Sequence, residues 1–360
     1  MNTGTRADLW QRLADEGLVQ GEVPAAAEPA APWYVRAMLG VAGWIGALFL
    51  LGFVGAGLAF VFRDEGAALV VGALCCGAAA LIFNKMGRNV LAAQFGLAVS
   101  FAGQAMFIYG LHEAGGFDDN SGAFFLCVAV FEGALAFFLG NFVHRVWSAF
   151  AAATAFGYAL PQMGIYGVSS AATGAAVAAI WLDRSKWAVG GSFWRAIGWG
   201  LVLAFVRPDA IFYGLLRMGS THAPIVPISW IPWVATILTA GVLLYVVYRL
   251  LEQHGEAPGG QVGMTSFAAA AAICAVTYKA AGIPEALVVV LLGFAAGSRA
   301  LFGLGILALL WYISYFYYSL EATLLVKSFA LAGAGLVMIV LRAAMPAVLG
   351  AATDARRTDA

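Results

Sequence analysis

Four charged side chains stand where the surrounding sequence has almost none, and each placement points to a particular chemistry. Glu132 sits in VFEGALAFF, Arg207 and Asp209 flank Pro208 in AFVRPDAIF, and Lys327 lies in LLVKSF. An ionised group in an apolar stretch is costly unless it meets a partner or serves a polar site. Pro208 lacks an amide hydrogen and its ring crowds the preceding turn, so a helix through this stretch is kinked or broken there, freeing carbonyls beside two charges. Glu132 lies ten residues from the outer end of its stretch, about 15 Å deep at ~1.5 Å per residue. Arg207 lies at a comparable depth, with Asp209 and Lys327 nearer the outer face. Depth alone lets Glu132 pair with Arg207 and Asp209 with Lys327. Two readings stay open: structural ion pairs that lock helices together, with Lys327 snorkelling to the interface, or a polar site in the outer half of a bundle built around a discontinuous helix. In the second reading Glu285, just after Pro284, and Glu321 line the mouth of the site.

The elements that must carry these residues follow from composition. Of 360 residues, 62% are hydrophobic and 11% charged, about half the charged share of a soluble domain. That much apolar surface calls for lipid as solvent, so the fold class is all-α, a polytopic transmembrane helix bundle. A membrane helix takes roughly 20 apolar residues, with a range of ~17 to 25. Apolar runs from Met38 onward place twelve spans near 38–62, 67–83, 90–111, 122–142, 146–162, 165–182, 196–216, 228–250, 263–280, 283–297, 300–319 and 322–341. Threaded from a cytoplasmic N-terminus, fourteen Lys and Arg fall on inside segments against Arg63, Arg217 and Lys279 outside. That asymmetry follows the positive-inside rule and sets both termini in the cytoplasm.

Ahead of the bundle, residues 5 to 16 read as a short helix with Leu9, Trp10 and Leu13 along one side and Gly17 as its stop. A Pro/Ala linker runs from Glu22 to Pro32. No apolar stretch precedes residue 38, so a cleavable signal peptide is not expected. The chain thus divides into a cytoplasmic segment 1–37, the bundle 38–342 and a cytoplasmic tail 343–360.

Catalytic and nucleotide-binding signatures are missing: GxxxxGK[ST], HExxH, GxSxG and CxxC do not occur. No enzyme activity and no cofactor are expected. Cys75, Cys76, Cys127 and Cys274 read as buried small hydrophobes. His112, His144, His222 and His254 all fall in predicted loops on alternating sides, which disfavours a shared metal site. The 44 glycines recur at helix-packing spacings, such as Gly40, Gly43 and Gly46, or Gly293 and Gly297. The zero net charge gives no reason to expect nucleic acid. The third, seventh and eleventh spans end in FIYGL, IFYGL and FYYSL, four spans apart and in one orientation. This spacing suggests three parallel four-helix units, although an aromatic belt at the outer interface would place the same residues there.

The start LWQRLADEGLVQGE, the stretch APWYVRAMLGVAGWIGALFLLGF and the end YYSLEATLLVKSFALAGAGLVMIVLR resemble a family of bacterial multi-pass inner-membrane proteins known only as a domain of unknown function. The resemblance makes Trp44, Lys327, Ser328 and Arg342 family-pattern positions without giving them roles. It implies a bacterial inner-membrane location and a possible partner, a membrane-anchored protein named for a Gly-Asp-Tyr motif whose gene often lies beside such proteins. Two functions are compatible with the residues: a transporter of a small solute with its polar site at the broken seventh helix, or a non-transporting scaffold or partner subunit of an envelope membrane complex.

Overall fold

The computed structural model describes residues 3–17, 65–86, 89–118, 121–207, 231–277 and 282–319, with isolated positions within 21–52 and 325–339. Every regular element among the described residues is helical. The N-terminal helix α1 spans Thr3–Asp15 and stops at Gly17, whose positive φ of 70° suits glycine. The helices of the bundle are α2 (Glu65–Met86), α3 (Val90–Gly115), α4 (Gly122–Phe138), α5 (Phe142–Gln162), α6 (Val168–Leu182), α7 (Arg184–Phe205), α8 (Ile231–Gln253), α9 (Gln261–Val276), α10 (Ile283–Ala295) and α11 (Arg299–Ser319). Each corresponds to one of the expected spans. The first and last spans, 38–62 and 322–341, lie largely outside the described residues.

Four of these helices, over 66–86, 91–115, 234–253 and 299–318, are long and apolar enough to cross a membrane. Their outward faces stay apolar. Val70, Leu74 and Leu81 of α2 and Leu307 and Leu310 of α11 are exposed, as a helix facing hydrocarbon requires.

Asparagine sets two of the helix starts. Asn89 Oδ1 accepts the Ala92 N–H at 3.2 Å and Asn141 Oδ1 accepts the His144 N–H at 3.1 Å, each satisfying a donor that the first helical turn leaves open. The Asn141 cap starts α5 at Phe142, so His144 and Arg145 belong to a helix, not to the loop expected of them. Likewise Arg195, expected between spans, lies inside α7, which bends at Gly190 (φ −142°, ψ 39°) and ends at Phe205.

Consecutive helices pair as hairpins: α2 with α3, α4 with α5, α6 with α7, α8 with α9 and α10 with α11. In lipid such pairs are held by close van der Waals approach, which small residues allow. Between α2 and α3, a Cβ on Gly72 would sit 2.6 Å from Phe107 N, and one on Gly103 2.7 Å from Cys75 Cβ. The two backbones therefore touch. Reciprocal glycines also face the partner helix in α6·α7 (Gly174 and Gly198) and α10·α11 (Gly293 and Gly305). Gly297, grouped with Gly293 by spacing, instead closes the turn after α10 with φ 62°.

Helix α7 packs on both α5 and α6, and α6 and α10 both pack on α8, so the hairpins form one continuous body. A large apolar core runs through α6 to α11 around Val177, Val202, Val246, Val289, Leu292 and Leu301. A smaller one, with Ala79, Phe83, Leu97 and Leu135, lies between α2, α3 and α4.

Candidate functional site

Buried polar side chains are not spread evenly. Of the seven buried polar residues among those described, six lie on α3, α4 and α5, and five of these (Ser100, Gln104, Glu132, His144 and Ser148) gather beside the smaller core. The chain of contacts starts at Trp147, whose Nε1–H donates to Gln104 Oε1 at 3.2 Å. This bond orients the Gln104 amide, so its Nε2 donates to His144 Nε2 at 2.9 Å and to Ser100 Oγ at 3.3 Å. Ser100 Oγ also lies 2.8 Å from His144 Nε2. Phe101 stacks on the imidazole at 6.1 Å between ring centroids and Phe83 tilts against it at 5.9 Å.

Glu132 enters from α4 and is 1% exposed. It faces Ser148, one helical turn beyond His144 on α5, and Cys76 of α2. Its approach to Ser148 does not meet hydrogen-bond geometry, and Glu132 Oε2, Ser148 Oγ and His144 Nδ1 have no hydrogen-bond partner among the described residues. Cys76 Sγ points instead to the Ser100 carbonyl at 3.9 Å.

A second polar level lies at the end of α7. The helix stops at Phe205, and the freed Val206 and Arg207 carbonyls both accept from the Tyr312 O–H of α11, at 3.1 and 2.9 Å. The Arg207 guanidinium turns onto α5, where Nη1 donates to Thr154 Oγ1 at 3.1 Å and the cation lies 5.4 Å from the centre of the Tyr158 ring. Thr154 is eight residues from the end of α5, about 12 Å along the axis at ~1.5 Å per residue. The end of α7 therefore lies within the packed length of the neighbouring helix. Gly282 (φ 97°) packs on the Tyr312 ring at the start of α10.

The structure separates Glu132 from Arg207, which depth alone would let pair. Glu132 meets α5 at Ser148 and Arg207 meets it at Thr154, six residues further on, about 9 Å apart along the helix. Glu132 makes no ion pair among the described residues. Glu285 does not stand open at a mouth either. Its Oε2 accepts the Gly282 N–H at 3.0 Å and its Oε1 accepts the Ser170 O–H at 3.0 Å, so it caps α10 and ties it to α6. Pro208, Asp209, Glu321 and Lys327 lie outside the described residues, as do Trp44 and Arg342. Of the cysteines, Cys76 and Cys274 are buried as expected, whereas Cys127 is exposed on the apolar surface of α4.

The Ser100, Gln104 and His144 group went unread in the sequence. One signal was present: an N-cap at Asn141 turns His144 and Ser148 into an i, i+4 pair on one face of a helix.

These features define a helical protein with helices suited to a membrane and two polar levels enclosed among them. Residues 32–347 match the model of the domain of unknown function DUF4401, and the chain belongs to that family. No curated protein and no solved structure matches it.

Proposed function

We propose that this protein is a transporter-like membrane protein for a small polar solute, with its site at the broken end of α7. The observation that carries the reading is the place where α7 ends. Two backbone carbonyls and a guanidinium are exposed by the end of α7 and are taken up by side chains of α5 and α11. Irregular backbone at membrane depth is tolerated where it is enclosed by protein or lines a path, and transporters build solute sites from such helix ends. In this reading Arg207, Thr154 and Tyr312 form the site, with Asp209, Lys327 and Glu321 contributed from the adjoining segments.

The frame of the proposal is a twelve-span bundle in the bacterial inner membrane with both termini cytoplasmic. The reciprocal glycine contacts in α2·α3, α6·α7 and α10·α11 support its construction from three four-helix units, since each falls between the second and third helices of a unit.

Thiol accessibility tests the site. In a background with the four native cysteines replaced by alanine, Thr154→Cys and Arg207→Cys should react with a membrane-impermeant methanethiosulfonate reagent, because a transport site must open to water. Folded protein in which neither position reacts from either face would place both in a permanently dry core and sink the proposal.

A further inference from the structure

We propose that Glu132 is a proton-binding site inside the bundle, exchanging its proton with water held between α4 and α5. The inference is independent of the solute site at α7, from which Glu132 is separated along α5. Three side chains carry it: Glu132, Ser148 and His144 are essentially fully buried, and each presents one polar atom with no partner among the described residues. A buried polar atom left unsatisfied is costly, and polar interior sites of this kind are where buried water resides.

The nature of the occupant follows from the imidazole. Because Trp147 fixes the Gln104 amide, His144 Nε2 receives hydrogens from Gln104 and Ser100. It therefore carries none of its own, and the neutral ring bears its proton on Nδ1. The unpartnered Nδ1–H is a donor. It cannot ligate a metal cation, but it can donate to water. Glu132 Oε2 accepts, and Ser148 Oγ both donates and accepts, so the three atoms suit water and a proton better than sodium or zinc.

Among the described residues the surrounding groups supply no fixed counter-charge. Helix α5 presents His144, Arg145 and Ser148. Arg145 is directed elsewhere, with Nε–H donating to the Ala136 carbonyl at 3.2 Å and its guanidinium 4.9 Å from the Phe193 ring centre on α7. Helix α2 presents Cys76, and α3 presents Ser100 and Gln104, which His144 engages. An isolated carboxylate in hydrocarbon surroundings is costly, and a proton is the cation that this set of neighbours can accept. The exchange balances simply: a hydrated proton gives its hydrogen to a Glu132 carboxylate oxygen, leaving water and a neutral carboxyl, and the reverse step restores both.

Infrared difference spectroscopy of the full-length protein in lipid nanodiscs, stepped from alkaline to acidic pH, tests the assignment. A protonated-carboxyl band should appear on acidification, be lost in Glu132→Gln and shift in frequency in Ser148→Ala, with no change when potassium replaces sodium. Besides the Ser148→Ala comparison, three results would overturn it. The wild-type band is absent, it persists in Glu132→Gln, or sodium suppresses it, which would make the occupant a metal cation. Ser148→Ala retains the carboxyl and guards against a Glu132→Gln variant that fails to fold, because an unshifted band in Ser148→Ala also rejects the site.

Discussion

Tyr312 satisfies two carbonyls, those of Val206 and Arg207, with one hydroxyl. Tyr312→Phe should therefore destabilise the protein by about 1–3 kcal/mol, the cost of removing hydrogen bonds to two enclosed carbonyls. Tyr318→Phe, at a position 80% exposed, should stay within about 0.5 kcal/mol. Thermal unfolding of the two variants in detergent compares them directly. The polar residues of the α2 to α5 level were poorly legible in sequence for a physical reason. Ser100 and His144 are 44 residues apart and Gln104 and His144 are 40, and helices apolar on every face do not announce which face turns inward. Glu132 was legible because a carboxylate in VFEGALAFF has no cheap alternative to a special environment. Its neighbour was not, since depth set Arg207 beside it whereas the fold places Ser148 there.

At the scale of elements, hydrophobic length located the described helices well, and errors gathered at their ends. The stretch around His144 and Arg145 reads as a break between spans, but Asn141 as an N-cap makes it the beginning of α5. Glycine content predicted close packing without saying which glycines meet backbone. The structure does, and a paired substitution checks it. Gly72→Ala places a methyl against Phe107 N and Gly103 O, 2.6 and 2.7 Å away, and backbone cannot swing aside. It should cost about 1–3 kcal/mol through overpacking. Gly77→Ala, on the same helix with no atom within 4 Å, should be neutral or stabilise by about 0.4–1 kcal/mol through lost chain freedom. Equal melting shifts for the two variants would contradict the backbone contact between α2 and α3. At α10, Glu285→Gln keeps acceptor capacity on one atom only, so it should fall between wild type and Glu285→Ala. The alanine variant loses both the cap and the Ser170 link, at about 1–2 kcal/mol.

For the whole molecule, the proposed topology predicts which turns face which compartment. The α4–α5 turn at Gly140 belongs to the cytoplasmic side and the α5–α6 turn at Ile165 to the outer side, and both residues are exposed. In the cysteine-free background, an impermeant thiol reagent added outside intact cells should label Ile165→Cys and spare Gly140→Cys until the membrane is opened. The reverse pattern would invert the bundle. The hydroxyl of Tyr312 also has a meaning for biosynthesis. It reaches back 105 residues along the chain to the Arg207 carbonyl, so at ~5–20 residues per second the ribosome needs roughly 5–20 s after finishing α7 before the group that completes it exists. During that interval the end of α7 depends on water, lipid headgroups or the insertion machinery for its hydrogen bonds. A nascent chain arrested before Tyr312 should thus hold this segment open, and release past α11 should close it.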